Sequence, residues 1–418
     1  MTKAAVKNLG ASWGQSPASI KEPREGGSPA AGPAAAALGA DVAASSKTAA
    51  DDVDSEEDAD GEGEDKVGEL VSSKAAIGAF AKKSKYCVDD FQIIRVLGKG
   101  AFGKVMLVKA KDSQTIYAMK SLSKQQLLEK NEVVHTQTER KALESTHHPF
   151  LVHLRYAFQS PAKLYLVMDY CNGGELFYHL KQSGRFPEER AKLYAAEICS
   201  AIHHLHTLKI IYRDLKPENV LLDSEGHIRI TDFGLAKDAM ELGDETHTFC
   251  GTPDYLAPEI IKGAGHGRGV DWWSLGTMIY EMLGGLPPFY SENFNLMYER
   301  ILHAPLEFNP AQVFTASSRS LIEGMLQKDP AVRLGSSDKD GEEIRSHPWF
   351  SSIDWKKLEA RELKPMFVPA VASATDTSNF DEEFTSLGLA ESVVPESALA
   401  GKATNFDGFT FVDKGALG

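Results

Sequence analysis

Tyr212-Arg213-Asp214-Leu215-Lys216-Pro217-Glu218-Asn219 gathers five charged or amide side chains into eight residues, and Asp232-Phe233-Gly234 follows, Asp232 lying eighteen residues beyond Asp214. Phosphoryl transfer asks little covalent chemistry of a protein. It asks that phosphates be held, that their charge be neutralised by metal, and that an acceptor hydroxyl be aimed and relieved of its proton. In this reading Asp214 takes or orients that proton and Lys216 neutralises the moving γ-phosphoryl group. Asn219, through its amide oxygen, and Asp232, through its carboxylate, are hard oxygen ligands suited to Mg²⁺. A charged turn with capping acids explains any one of these residues, but not the set in this order.

Working outward toward the N-terminus, Gly98-Lys-Gly-Ala-Phe-Gly-Lys-Val105 lies between two stretches that read as strands. Its glycines permit close approach of backbone to phosphate. The strand that follows, where a dinucleotide-binding turn would start a helix, argues against the dinucleotide reading. Lys120 ends the run Ala118-Met-Lys, seventeen residues after Gly103. Its expected partner is Glu139, on a helical pattern over Glu132–Leu143, which would orient the ammonium onto the α- and β-phosphates.

Phe91–Leu97, Val105–Val108, Ile116–Met119 and Leu164–Met168 are short β-branched and aromatic runs divided by turn residues, the mark of an antiparallel sheet. After Asp169 the pattern turns helical, with Pro187 opening one helix whose apolar positions include Leu193, Ala196, Ile198, Ala201, Ile202 and Leu205. An α+β architecture of two lobes follows, the small one over about 91–168 and the large one over about 170–350, with the ligand cleft at their junction. Beyond Phe350 the chain is irregular but carries Trp355, Phe367, Phe380, Phe384, Phe406, Phe409 and Phe411, so an ordered tail packed on the lobes is expected.

Residues 1–84 read as disordered. Gly26–Ala50 holds eleven alanines in twenty-five residues interrupted by Pro29 and Pro33, and Asp51–Asp65 holds ten acids and no base. Such a stretch cannot bury enough apolar surface to offset its ordering entropy. The acidic run supplies about −10 of the formal −14, leaving −14 + 10 = −4 for the remaining residues, and a nucleic-acid partner is not expected. The 418 residues contain no apolar run long enough to span a membrane, and no signal-peptide core at the N-terminus. The cysteines, Cys87, Cys171, Cys199 and Cys250, have no paired zinc spacing and read as reduced thiols. Cytoplasmic localisation, extending to the nucleus, is the expectation, with no direct membrane binding and a monomeric state.

With the glycine loop, Ala118-Met-Lys120, Tyr212-Arg-Asp214, Asp232-Phe-Gly234 and Ala257-Pro-Glu259 in order, the stretch from Phe91 to Phe350 resembles the eukaryotic protein kinases. The resemblance implies the bilobal kinase fold and an active enzyme, with ATP and Mg²⁺ as cofactors, rather than a pseudokinase scaffold. It implies an ATP site of Leu97, Gly98, Gly100, Phe102, Gly103, Val105, Ala118, Lys120, Asp169, Cys171, Glu175, Leu221 and Thr231. It also implies a Glu259–Arg333 pair, an Asp271 that braces the catalytic loop, and an internal spine of Leu143, Leu154, Phe233 and Tyr212.

Tyr212 before Arg-Asp, and Thr248-Phe-Cys-Gly-Thr-Pro-Asp-Tyr-Leu-Ala-Pro-Glu259, are similar to the AGC group, particularly protein kinase B and the serum/glucocorticoid-induced kinases. In that group Lys216-Pro217-Glu218 marks serine/threonine specificity. Within 351–418, Asn379-Phe-Asp-Glu-Glu-Phe384 resembles the segment that lays a phenylalanine, here Phe380, against the adenine pocket. Phe406-Asp-Gly-Phe-Thr-Phe411 resembles the terminal hydrophobic motif. Phe406 and Phe409 would fill a small-lobe pocket beside the helix of Glu139, and Thr248 and Thr410 match phosphoacceptors served by upstream activating kinases. His135, Arg213 and Lys237 would gather a phosphate on Thr248, and Thr252 would contact Asp214 and Lys216. Glu175, Glu218 and Glu281 match positions that bind basic residues before the acceptor in protein substrates, and Leu256 one that meets an apolar residue after it. The turn-motif threonine of the group is replaced by Val394, so no phosphoacceptor is assigned there, and 1–84 cannot form a phosphoinositide-binding domain.

Overall fold

The computed structural model describes residues 86–241, 243–388, 406–413 and 415, all within one compact unit. The readings of 1–84 and of Val394 fall outside these residues. Five strands, β1 (Phe91–Gly100), β2 (Gly103–Ala110), β3 (Ile116–Ser123), β4 (Leu154–Gln159) and β5 (Lys163–Asp169), form an antiparallel sheet in the order β1-β2-β3-β5-β4. Helices α1 (Lys124–Glu129) and α2 (Val133–Ser145) lie between β3 and β4. The predicted helix over Glu132–Leu143 starts one residue later, because Glu132 is its N-cap, and runs two residues further. Neither α1 nor β4 was expected.

Alternation along the strands gives the sheet two covered faces. Tyr165 and Val167 join Phe91, Met106, Val108, Tyr117, Met119, Tyr156 and Phe158 in one aromatic-rich cluster, closed by Tyr86. Leu164, Leu166 and Met168 point the other way, into the main core with Ala142 and Leu143 of α2.

The large lobe is helical: α3 (Leu176–Ser183), α4 (Glu188–Thr207), α5 (Pro258–Lys262), α6 (Gly269–Gly284), α7 (Phe294–His303), α8 (Ala316–Met325), α9 (Gly341–Arg345) and α10 (Trp355–Glu359). Pro187 is the N-cap of α4, whose predicted apolar positions are buried. A two-stranded hairpin, β6 (Val220–Leu222) and β7 (Ile228–Ile230), interrupts the helices and carries Asn219 and Thr231 at its two ends. α6 is apolar almost throughout and buried, which makes it the lobe's central post.

The tail packs as expected. Phe367 and Phe186 sandwich the Arg190 guanidinium at 3.8 and 3.9 Å. Tyr170 stacks on Phe380 at 5.8 Å and donates to Asp376 O at 2.5 Å. A short helix, α11 (Glu382–Thr385), then rests on β1. Finally β8 (Phe411–Val412) adds a strand to the free edge of β4, pairing Ala157 with Phe411 and Tyr156 with Val412.

Candidate active site

The loop between α4 and β6 holds the quoted octapeptide in a defined shape. Asp271, buried in α6, accepts the Tyr212 amide at 2.9 Å and the Arg213 amide at 2.7 Å. Arg213 there adopts a left-handed backbone, φ 65°, which a non-glycine residue keeps only when its surroundings impose it. The next residue, Asp214, accepts from three side chains: Lys216 Nζ at 3.0 Å, Thr252 Oγ1 at 3.1 Å and Asn219 Nδ2 at 2.9 Å. Lys216 also donates to Thr252 at 2.8 Å. Thr252 therefore ties the 248–259 segment to the Asp214 carboxylate, the contact the sequence reading assigned to it. Burial raises the Asp214 pKa despite the attraction of Lys216, so its carboxylate is more basic than an exposed one.

Across the cleft, Lys120 Nζ lies 2.6 Å from Glu139 Oε1 and 3.1 Å from Asp232 Oδ1. Burial opposes the ammonium, but the two carboxylates outweigh it and the Lys120 pKa is raised. Lys120 pulls Asp232 below the ordinary carboxylate value, whereas burial pushes Glu139 up. Asp232 has φ 59°, a left-handed backbone that a non-glycine residue keeps only when its surroundings impose it. Phe233 behind it meets Tyr212 edge-on at 5.4 Å, and with Leu143 and Leu154 these residues are fully enclosed in the core.

The glycine loop is the β1–β2 hairpin. A Cβ on Gly103 would stand 1.7 Å from Ser121 O, so only glycine lets β2 pass β3 there. Leu97, Val105 and Ala118 occupy β1, β2 and β3, and Phe102, at the turn, lies 5.2 Å from the Lys130 ammonium. Gly98 and Gly100 pair with Val105 and Gly103. At the junction of the lobes, Arg155 holds the Asp169 carboxylate at 2.7 and 3.2 Å. Cys171 is buried there, its thiol pushed up to about 12 by burial. Leu221 bridges to Glu175, and the Tyr212 hydroxyl donates to Thr231 O.

Asp232 and Asn219 suit a hard divalent cation. Asn219 spends its amide nitrogen on Asp214, which leaves its oxygen as a ligand, and the Asp232 side chain is 45% exposed. Among the described residues no cluster of three or more His, Cys, Asp or Glu could hold a metal. Two protein oxygens fit an ion that keeps water and phosphate ligands.

The substrate-side residues are placed unevenly. Glu175, the N-cap of α3, and Glu218 make no ion pair among the described residues, and Glu218 Oε2 is buried without a hydrogen-bond partner. Burial, then Glu218, then Asp381 raise Glu175 to about 8. Glu281 is buried in α6, likewise pushed to about 8 by burial, and accepts from the Tyr255 hydroxyl. Leu256 departs from expectation: it is 2% exposed, with Gly251 closed over it, and has almost no surface to offer a peptide.

Thr248 is exposed. Of its expected partners, Arg213 donates through Nε to Leu235 O and keeps a buried, unpartnered guanidinium nitrogen; Lys237 is exposed; His135 is taken by Glu132 at 2.7 Å. Glu259 and Arg333 form the implied pair, two bonds of 2.6 and 2.8 Å.

Phe406 and Phe409 are 1% and 2% exposed, part of the same core as Leu122, Leu127 and Leu143, and Phe411 packs against it. Thr410 between them is exposed. The Lys124 ammonium stands 5.4 Å over the Phe406 ring and donates to Gln159, which in turn donates to Phe406 O. Sequence reading missed Gln159, Arg155 and Lys124, all on or beside elements it did not foresee. It also missed His206, whose Nε2 lies 2.9 Å from Asp271 Oδ2 and whose Nδ1 meets Asp340.

The protein kinase domain family matches residues 91–350 and the protein kinase C-terminal domain matches 371–411. Over 327 residues the chain is 54% identical to "Protein kinase 2" of Dictyostelium discoideum, covering 78% of this chain and 67% of that one. It is 49% identical over 331 residues to "Serine/threonine-protein kinase YPK1" of Saccharomyces cerevisiae, covering 79% and 48%. It is 49% identical over 327 residues to "Serine/threonine-protein kinase Sgk2" of Homo sapiens, covering 77% and 88%. The chain thus spans about half the length of its yeast relative. A protein kinase domain implies ATP, a divalent metal and protein substrates. The chain belongs to the protein kinase family, as a serine/threonine kinase of the AGC group.

Proposed function

We propose that the chain is a Mg²⁺-dependent, arginine-directed serine/threonine kinase whose output is set by phosphates on Thr248 and Thr410. One observation carries the substrate reading: Glu175 and Glu218 are partly buried carboxylates with no basic partner among the described residues, both within the field of Lys216 beside Asp214. Uncompensated carboxylates are costly, and an arriving guanidinium repays the cost through bidentate pairing.

In the reaction, Lys120, oriented by Glu139, holds the α- and β-phosphates, and Asp214 orients the acceptor hydroxyl and accepts its proton. Lys216 offsets the charge of the γ-phosphoryl group as it moves. Asp232 and Asn219 would hold Mg²⁺, which would supply positive charge against the phosphates. Phe380, on Tyr170, closes the adenine side. A phosphate on Thr248 gives the idle nitrogen of Arg213 a partner, and Lys237 a second. A phosphate on Thr410 adds about −1.5 to −2 charges beside a motif already seated through Phe406 and Phe409. The proposed setting is the cytoplasm, with access to the nucleus, as a monomer that binds neither nucleic acid nor membrane directly.

A positional peptide array with ATP and Mg²⁺ tests this. Selection for arginine before the acceptor is expected, weakened in Glu175→Gln and Glu218→Gln. An array indifferent to arginine would refute the substrate reading. Full activity in Thr248→Ala would refute the switch.

A further inference from the structure

His266, in the loop between α5 and α6, is 3% exposed, and its Nε2 is buried without a hydrogen-bond partner. Arg213, 5% exposed, has the same defect at Nη1. A short antiparallel bridge fixes where the ring stands. Thr246 and His266 exchange both backbone bonds, at 3.0 and 2.9 Å, so their side chains share a face. The two faces are distinct. Glu245 and His247 crowd Gly265, where a Cβ would stand 2.4 and 2.9 Å from their side chains. Thr246 and Cys250 turn inward and are buried. Thr248 lies between these two in the same alternation, which makes it the diagonal neighbour of His266. After burial, Arg213 is the strongest influence on both the His266 ring and the Cys250 thiol, so the two look onto one guanidinium. The other titratable groups acting on His266 are Glu259 of α5, Asp271 of α6 and His247. Glu259 is engaged by Arg333, and Asp271 by the Tyr212 and Arg213 amides.

We propose that His266 is a second buried donor, beside Arg213, for a phosphate on Thr248, so that the modification holds the α5–α6 loop as well as the loop of Asp214. Two donors left unpaired in one buried space are costly until an acceptor arrives. A phosphate brings three acceptor oxygens, enough to serve the guanidinium and the ring together. With a bare Thr248, burial and then Arg213 push the His266 ring down to about 4, so it is neutral at pH 7. A phosphate offsets the charge of Arg213 and gives the Nε2 proton an anionic acceptor, which raises that value and strengthens the bond. The inference rests on the reading of Thr248 as the phosphoacceptor.

The test uses the full chain carrying phosphate on Thr248, verified by mass spectrometry, beside the same chain after phosphatase treatment. Nitrogen NMR of the histidine-labelled chain should show the His266 titration rising by about one pH unit or more when the phosphate is present. Identical titrations overturn the proposal and leave a trapped water as the partner of Nε2. Phosphorus NMR should put the second ionisation of the phosphothreonine below its ordinary value of about 6, and His266→Phe should move it back. An added phosphatase should remove the phosphate about tenfold faster from His266→Phe than from the parent, the effect of losing one bond to a charged group. His266→Gln, which keeps a donor, should restore most of the protection, and His247→Gln, on the outer face, should match the parent. A folded His266→Phe that loses phosphate at the parent rate overturns the proposal. Should that variant fail to fold, the His266 titration of the parent decides. Full kinase activity in Thr248→Ala would strike the switch alone, because the titrations read contact with the phosphate and not its effect on turnover. Failure of Thr248 to accept phosphate would overturn both.

Discussion

Arg155 of β4 joins Asp413, 258 positions further along the chain, at 2.9 Å, while its other guanidinium nitrogens hold Asp169 at the junction of the lobes. The Asp413 amide returns a bond to Arg155 O at 2.9 Å. One side chain thus links the end of the tail to the strand that leads into the nucleotide site. Arg155→Ala should free the tail edge and leave Asp169 without its cation. The expected result is faster proteolysis after residue 400 and a raised ATP KM. An unchanged tail-cleavage rate would show that the ion pair is idle.

The hydrophobic motif carries more of the tail's attachment. Burying one phenylalanine side chain is worth roughly 1.5–3 kcal/mol, and Phe→Ala in a core costs about 3–5 kcal/mol. Phe406→Ala and Phe409→Ala should therefore undock β8, and the loss should appear as reduced kcat more than as reduced global melting temperature, because the tail is a terminal unit. Hydrogen exchange at β4 amides reads the undocking directly. Protection at Tyr156 and Ala157 equal to the parent's would count against it.

The catalytic set predicts a sharp separation between binding and chemistry. Asp214→Asn keeps its neighbours Lys216, Thr252 and Asn219 within bonding distance but removes the proton acceptor. Transfer should fall by roughly a thousandfold, within the range for loss of a positioned base, while ATP still raises the melting temperature. Lys120→Met should weaken ATP protection as well, since it removes the cation between Glu139 and Asp232. Parent-level transfer by either variant would point to a contaminating kinase.

Legibility in the sequence followed range. Lys216 and Asn219 act on Asp214 from within the same eight residues, and Gly103 declares its own need, so local spacing revealed them. β4, Leu154-Arg-Tyr-Ala-Phe-Gln159, stayed hidden in part because its edge partner lies beyond residue 410. His206 read as one more polar position on an amphipathic helix. It bonds to Asp271 and Asp340, which are 65 and 134 residues away. Leu256 was expected to meet a peptide residue, and its depth, which argues against that, is a property of how Gly251 folds over it.

The pH dependence of stability tests the buried charges together. Glu175 and Glu281 are raised from 4.5 to about 8, so between those values they stay neutral in the folded chain but ionise in the unfolded one. Folding therefore weakens as pH rises through that interval. His206, raised from 6.5 to about 9, stabilises fully below 6.5, and that contribution is lost as pH rises through about 9. His148 and His266, lowered by burial to about 3 and 4, act with the opposite sign, but only below 6.5. Between pH 6.5 and 8 the first three groups all reduce stability with nothing from those two histidines against them, so the melting temperature should decline steadily there. Glu175→Gln should flatten the slope. An arginine-rich peptide should restore stability more at pH 8 than at pH 6.5, because its guanidinium pairs with the ionised carboxylate. A peptide effect independent of pH would mean that arginine does not contact Glu175.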